Sequence, residues 1–235
     1  VTLVLFYQRN LFHFCGMTKY KWIIIAFLTI WVVGIIVAYP IIKKNQRLQV
    51  FQPADVNPQL VDTDMQRTAK AHRIADFSLT DQTGQTVTQA DFENKIYVAD
   101  FFFTSCPNIC PKMTASLSGL SEFYKNDTDI MFLSHSVTPV KDSVSVLAAY
   151  AEKYAVNHYK WKLVTGDKKH IYELARRSYF AVTTEGDGGV KDFIHTENFI
   201  LVDKERKIRG FYDGTSAEEM ERLKSDITIL RYEYE

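Results

Sequence analysis

An excess of charge is the first thing this chain lacks: 28 Lys and Arg residues balance 28 Asp and Glu residues over 235 positions. Without a basic surplus there is no electrostatic footprint for a nucleic-acid backbone, and nucleic acid is excluded as a partner. Proline is scarce and stops early, with six in all and none after Pro139. Cysteine is scarcer still: three in the chain, two of which, Cys106 and Cys110, stand four apart. Internal repeats and low-complexity tracts are missing as well, which excludes a repeat array and a disordered chain. The first sixteen residues hold no initiating Met. Met17-Thr18-Lys19-Tyr20-Lys21 reads as the basic start of the protein, and residues 1–16, with His13 and Cys15, as an upstream mis-start or a cytoplasmic tail.

What is plentiful is apolar. Hydrophobic residues make up 46% of the chain, with 16 Phe and 13 Tyr, enough for one substantial core. Trp22 to Pro40 carries no charge, and at about 1.5 Å of rise per residue such a run crosses a hydrocarbon layer of about 30 Å. It is longer than the apolar part of a cleaved signal peptide, so residues 17–42 read as an uncleaved membrane anchor. Lys19 and Lys21 precede the span and Lys43 and Lys44 follow it, so charge does not orient it. The short amino-terminal side favours a carboxy-terminal domain outside the cytoplasm, where a cysteine pair can be oxidised. Residues 43–70 are polar, hold Pro53 and Pro58 and follow no period, the pattern of a tether. The globular domain is expected at 71–235.

Inside that domain, period and turn residues sketch alternating elements. Asp76 to Thr80 alternates like a strand, Asp81-Gln82-Thr83-Gly84 supplies a turn, and a short strand follows at Thr86-Val87-Thr88. Ile96 to Phe103 is a nearly continuous apolar run, as in a strand buried on both faces. Met113, Leu117, Leu120 and Phe123 fall at helical spacing, and Ile130 to Val137 is again strand-like. Asp142 is placed to cap a helix through Tyr154; Leu163-Val164 suits a short strand; Asp167 is placed to cap a helix carrying Ile171, Leu174 and Ala175. Phe199 to Val202 and Ile208 to Tyr212 flank a charged turn, and a last helix begins near Ala217. The predicted fold is α/β: a thioredoxin-like mixed central sheet flanked by helices, with the cysteines at the top of a buried strand.

Two thiols at short fixed spacing either exchange electrons as dithiol and disulfide or hold a soft metal ion. Pro111 is most comfortable in the first turn of a helix. Cys106 and Cys110 then occupy a tight turn at the positive end of that helix, where a thiolate is stabilised, and both sulfurs are expected to be reactive and partly exposed. A purely structural disulfide would close three intervening residues and constrain the unfolded chain little. A thioredoxin-type oxidoreductase uses a shorter spacing and a later proline facing the cysteines, and nothing after Pro139 supplies one.

A metal would want a third ligand, and most of the six histidines have plain roles. His13 is peripheral, His72 lies at the start of the domain, His158 and His170 suit helix or loop surface, and His135 sits inside a strand. His195 differs: it ends the loop that begins Gly186-Asp187-Gly188-Gly189 and precedes the strand at Phe199, on the edge that meets the cysteine turn in this topology. Two thiolates and an imidazole make a soft site suited to Cu(I) and acceptable to Cu(II), whereas zinc normally takes a fourth ligand.

The segment Asp100-Phe101-Phe102-Phe103-Thr104-Ser105-Cys106-Pro107-Asn108-Ile109-Cys110-Pro111-Lys112-Met113, with His195 ahead of Phe199, resembles the Sco/SenC family. The resemblance runs from about Ile74 to Tyr212, and an anchor followed by a tether agrees with it. It implies a thioredoxin-like domain on the outer face of a bacterial cytoplasmic membrane, binding copper through Cys106, Cys110 and His195. It further implies a part in maturing the binuclear copper centre of cytochrome c oxidase subunit II. One departure stands out: the family often has an Asp-Pro pair after the strand that follows the cysteine helix, and here Thr138 precedes Pro139. Two functions share these residues. One is a copper metallochaperone; the other is a thiol:disulfide oxidoreductase in which Cys106 attacks, Cys110 resolves, and the client's cysteines are reduced.

Overall fold

The computed structural model describes residues 20–40, 47–53, 55, 72–182, 186, 188–189 and 191–235. His13, Cys15 and most of the polar segment before the domain lie outside the described residues. The apolar run forms one helix, α1 (Tyr20–Pro40), long and apolar enough to cross a membrane and with its apolar side chains exposed all round.

A second compact unit begins at Arg47. In chain order it holds β1 (Ser78–Asp81), β2 (Thr86–Thr88), β3 (Ile96–Phe102), α2 (Ile109–Phe123), β4 (Ile130–Ser136), α3 (Val144–Lys153), β5 (Trp161–Thr165), α4 (Lys168–Glu173), β6 (Asn198–Val202), β7 (Ile208–Asp213) and α5 (Ala217–Glu233). The strands form one seven-stranded sheet in the order β2-β1-β5-β4-β3-β6-β7. β3, β4 and β5 run parallel, and their crossovers pass through α2 and α3, as parallel pairing requires. The remaining neighbours are antiparallel, which gives the mixed sheet expected from the sequence.

All seven residues of β3 are buried because both faces of the sheet are covered. Tyr97, Ala99 and Phe101 join one core with Leu133, Tyr179 and Ile200, while Ile96, Val98 and Phe102 join the other with Met113, Leu117 and Phe132. Side chains alternate along a strand. Asp100 therefore enters the second core, beneath α2.

The capping expectations divide. Asp167 accepts from the His170 N–H at 2.8 Å, and Ser216 from the Glu219 N–H at 3.3 Å. Asp142 does not cap α3: Ser143 holds that position, and the Asp142 carboxylate turns inward because three hydroxyl donors reach it there.

Residues 47–53, within the segment read as a tether, lie against β7. The Phe51 N–H donates to the Ile208 carbonyl at 2.9 Å, and the Phe51 ring meets Phe211 edge-on at 5.4 Å. Arg209 donates to the Leu48 carbonyl at 2.7 Å and the Gln49 carbonyl at 3.2 Å. Its guanidinium is buried and paired with Asp203 at 2.9 Å and Glu233 at 2.6 Å. The segment thereby occupies the outer edge of β7 at Ile208, where its strand begins.

Candidate metal centre

β3 ends at Phe102, and a turn closed by the Cys106 N–H on the Phe103 carbonyl (3.3 Å) leads into α2. Asn108 is the N-cap, so Cys110 and Pro111 both lie in the first helical turn, where the N–H that proline lacks has no intrahelical partner to lose. The Cys110 N–H points at the Cys106 sulfur from 3.4 Å. Both thiols are free. Partial exposure of the two sulfurs is corrected here: Cys106 is 8% exposed and Cys110 3%, because the turn folds into the apolar layer that contains Phe103, Ile109 and Met113.

The surroundings separate the two thiols. At Cys106 burial pushes the thiol up, but the N–H groups of Cys110, Asn108 and Ile109 outweigh it and hold the thiol below its ordinary value. At Cys110 burial dominates, the neighbouring Cys106 and Asp100 add to it, and the thiol is pushed up to about 12. The surroundings of Cys106 accordingly favour its thiolate and those of Cys110 its protonated thiol.

Asp100 is a functional candidate that the sequence reading missed. Its signal was available: one charge inside an apolar strand, six residues before Cys106. Burial pushes its carboxyl up to about 7, although the Ser134 hydroxyl donates to it, and Ser134 in turn accepts from the Trp161 Nε1–H at 2.7 Å. Across the sheet, His135 stacks on Phe101 at 4.7 Å with Tyr179 edge-on at 5.3 Å; burial holds it down to about 4, and among the described residues its Nε2 has no hydrogen-bond partner.

These two groups pull stability in opposite directions with pH. His135 titrates lower in the fold than in the unfolded chain, so its contribution is full above about pH 6.5 and is lost as the pH falls toward 4. Asp100 titrates higher in the fold, so its contribution is full below about pH 3.8 and is lost as the pH rises through 7. Between these limits the slopes nearly cancel. Replacing Asp100 with Asn is expected to uncover the histidine slope, with urea-unfolding stability falling about 1 kcal/mol per pH unit on acidification from 6.5 to 4.5. A variant whose pH profile matches the wild type would show that Asp100 does not titrate as its burial demands.

His195 is exposed, between buried Ile194 and Thr196 in the loop before β6. The β3–β6 register pairs Tyr97 with Val202 and Ala99 with Ile200 in antiparallel, so the loop before β6 enters the sheet at the end of β3 that leads into the cysteine turn. The Phe193 ring, 5.2 Å from that of Phe103, holds the loop at this end of the sheet. The structure thus brings Cys106 and Cys110 together and leaves His195 on the adjoining loop. Among the described residues, no three His, Cys, Asp or Glu side chains form a group able to hold a metal ion. The other histidines keep plain roles: His72 Nε2 lies 2.7 Å from the Ser178 carbonyl, and His158 is exposed beside Tyr159. Two adjacent soft sulfurs, with an imidazole on the adjoining loop, are donor types that fit copper.

A family model described as SCO1/SenC matches residues 65–229. The SCO1 protein homolog of Bacillus subtilis is 29% identical over 158 residues, 66% of this chain and 81% of that protein. Among solved structures, BsSco, a member of the Sco family of cytochrome c oxidase assembly proteins in which a disulfide switch was identified, is 28% identical with a TM-score of 0.58. The match covers 70% of this chain and 96% of BsSco. Arabidopsis thaliana ScoI with copper bound is 26% identical with a TM-score of 0.51, covering 67% of this chain and 96% of that one.

Proposed function

The chain belongs to the SCO1/SenC family, and from that premise we propose that it is a copper metallochaperone for cytochrome c oxidase assembly, holding its cargo through Cys106, Cys110 and His195. The observation that carries the reading is the divided thiol pair at the start of α2, with His195 on the loop beside it. Copper bound to the Arabidopsis relative supports the choice of cargo. In this reading residues 17–42 anchor the chain in the bacterial cytoplasmic membrane, 43–70 connect, and the domain of 71–235 works on the extracytoplasmic side. The client is subunit II of the oxidase or a similar copper acceptor.

The chemistry follows from the two thiols. Cys106, whose thiol is held below its ordinary value, meets Cu(I) first; Cys110 then gives up its proton as its sulfur binds, and His195 supplies a nitrogen. Release to a client exchanges these ligands for the client's own. The disulfide switch in BsSco favours a second reading on the same residues. Here the Cys106 thiolate attacks a client disulfide and Cys110 resolves the mixed disulfide, leaving two client thiols and a Cys106–Cys110 disulfide.

His195→Ala separates the readings, since it removes a nitrogen and leaves both sulfurs. Loss of a ligand is expected to cost at least about a hundredfold in Cu(I) affinity, the upper end of what even an outer-sphere partner is worth, with the dithiol couple unchanged. Competition against a Cu(I) chelator measures it. Unchanged affinity would remove His195 from the ligand set, and oxidase assembly retained after copper binding is lost would overturn the chaperone reading.

A further inference from the structure

Thr104, Ser136 and Thr138 converge on one buried carboxylate. Asp142 is 1% exposed. It accepts from the Thr104 hydroxyl at 2.5 Å and the Thr104 N–H at 3.3 Å, from Ser136 Oγ at 2.6 Å and from Thr138 Oγ1 at 2.9 Å. Its own N–H donates to the Thr138 carbonyl at 2.9 Å, and the Thr138 N–H donates to Ser136 Oγ at 3.2 Å. A buried carboxylate with four donors is satisfied, and charge-assisted bonds of this kind are stronger than neutral ones. Three pieces of chain meet at this point: the end of β3, the end of β4 and the loop into α3.

We propose that Asp142 is a positioning residue for Cys106, acting through Thr104 to hold the turn that carries the attacking sulfur. Thr104 stands two residues before Cys106, and the turn between them has a single long backbone bond, from the Cys106 N–H to the Phe103 carbonyl at 3.3 Å. The N–H groups that face the Cys106 sulfur belong to the start of α2, so the sulfur keeps them only while strand end and helix start stay in register. The Val137 N–H on the Phe102 carbonyl, at 2.9 Å, fastens the β4 side of the same joint. Thr138, which departs from the family's Asp-Pro pattern, has a part here: its hydroxyl is one of the donors that satisfy Asp142.

The inference rests on Cys106 and Cys110 being the working thiols. Its test is the equilibrium of the full chain, in detergent, with glutathione. Protein dithiol plus oxidised glutathione gives protein disulfide plus two reduced glutathiones, so two electrons and two protons pass from protein to glutathione. Thr104→Val keeps the side-chain shape and loses the hydroxyl; Thr104→Ser keeps the hydroxyl; Asp142→Asn removes the charge. A loosened turn loses the N–H that faces the Cys106 sulfur in the dithiol and so weakens the reduced form. Thr104→Val and Asp142→Asn are therefore expected to shift the constant about tenfold toward the disulfide, about 30 mV for a two-electron couple. Thr104→Ser is expected to stay within about twofold of wild type. A Thr104→Val protein with wild-type near-ultraviolet circular dichroism and an unshifted constant overturns the inference, as does a serine variant shifted as far as the valine one. Should Asp142→Asn fail to fold, the Thr104 pair carries the test. A wild type that forms no Cys106–Cys110 disulfide would overturn the underlying reading, and the inference with it.

Discussion

Lowering the pH from about 8 to about 6 is expected to weaken copper binding at least about a hundredfold. The cause is Cys110, whose thiol is pushed up to about 12 chiefly by burial, so it stays protonated throughout that range. Each copper that binds its sulfur must displace that proton. One proton released per metal makes affinity rise about tenfold per pH unit, and Cys106 steepens the slope wherever it too is still protonated. The sign is fixed: metal binds the deprotonated sulfur, so acid competes with copper. A competition titration at several pH values, corrected for the chelator's own protonation, measures the slope. A flat profile would mean that Cys110 is not a ligand, whereas Cys110→Ser is expected to lower the affinity and to reduce the slope by about one proton.

Replacing Arg209 with Met is expected to destabilise the domain by about 3–5 kcal/mol. The guanidinium sits between Asp203 and Glu233, with side-chain exposures of 5%, 1% and 12% for the three groups. Removing the cation leaves two carboxylates facing each other with little water to screen them. The same change frees the carbonyls of Leu48 and Gln49. Hydrogen exchange at the Phe51 N–H, which donates to Ile208, should therefore accelerate more than exchange in β3. Urea unfolding reads the first effect and exchange the second; a loss below about 1 kcal/mol would place the cluster with ordinary surface pairs.

Much of this was legible in the sequence because the governing signals are local. The continuous apolar run of β3 announced a strand buried on both faces, and Pro111 placed the cysteines at a helix start. What escaped depended on partners far along the chain. Asp142 stands at a good capping position, yet Thr104, 38 residues earlier, claims its carboxylate, and no local pattern reports that. Leu48 and Phe51 belong to a mostly polar stretch whose scattered apolar residues set no period, although the folded domain gives these two a surface. Standing nearer the end of β3, Cys106 reads as the attacking thiol and Cys110 as the resolving one, but spacing carries no account of the surroundings that separate them. Their difference comes from depth: three N–H groups turn toward Cys106, while Cys110 faces inward over Asp100.

A copper chaperone of this design must hold its cargo through Cys106, Cys110 and His195. The most direct measurement is copper bound per chain after loading the reduced full-length protein and removing free metal, beside Cys106→Ser, Cys110→Ser and His195→Ala. About one copper is expected on the wild type, none retained by either serine variant and weak retention by the alanine variant. Equimolar copper on either serine variant would contradict that ligand set.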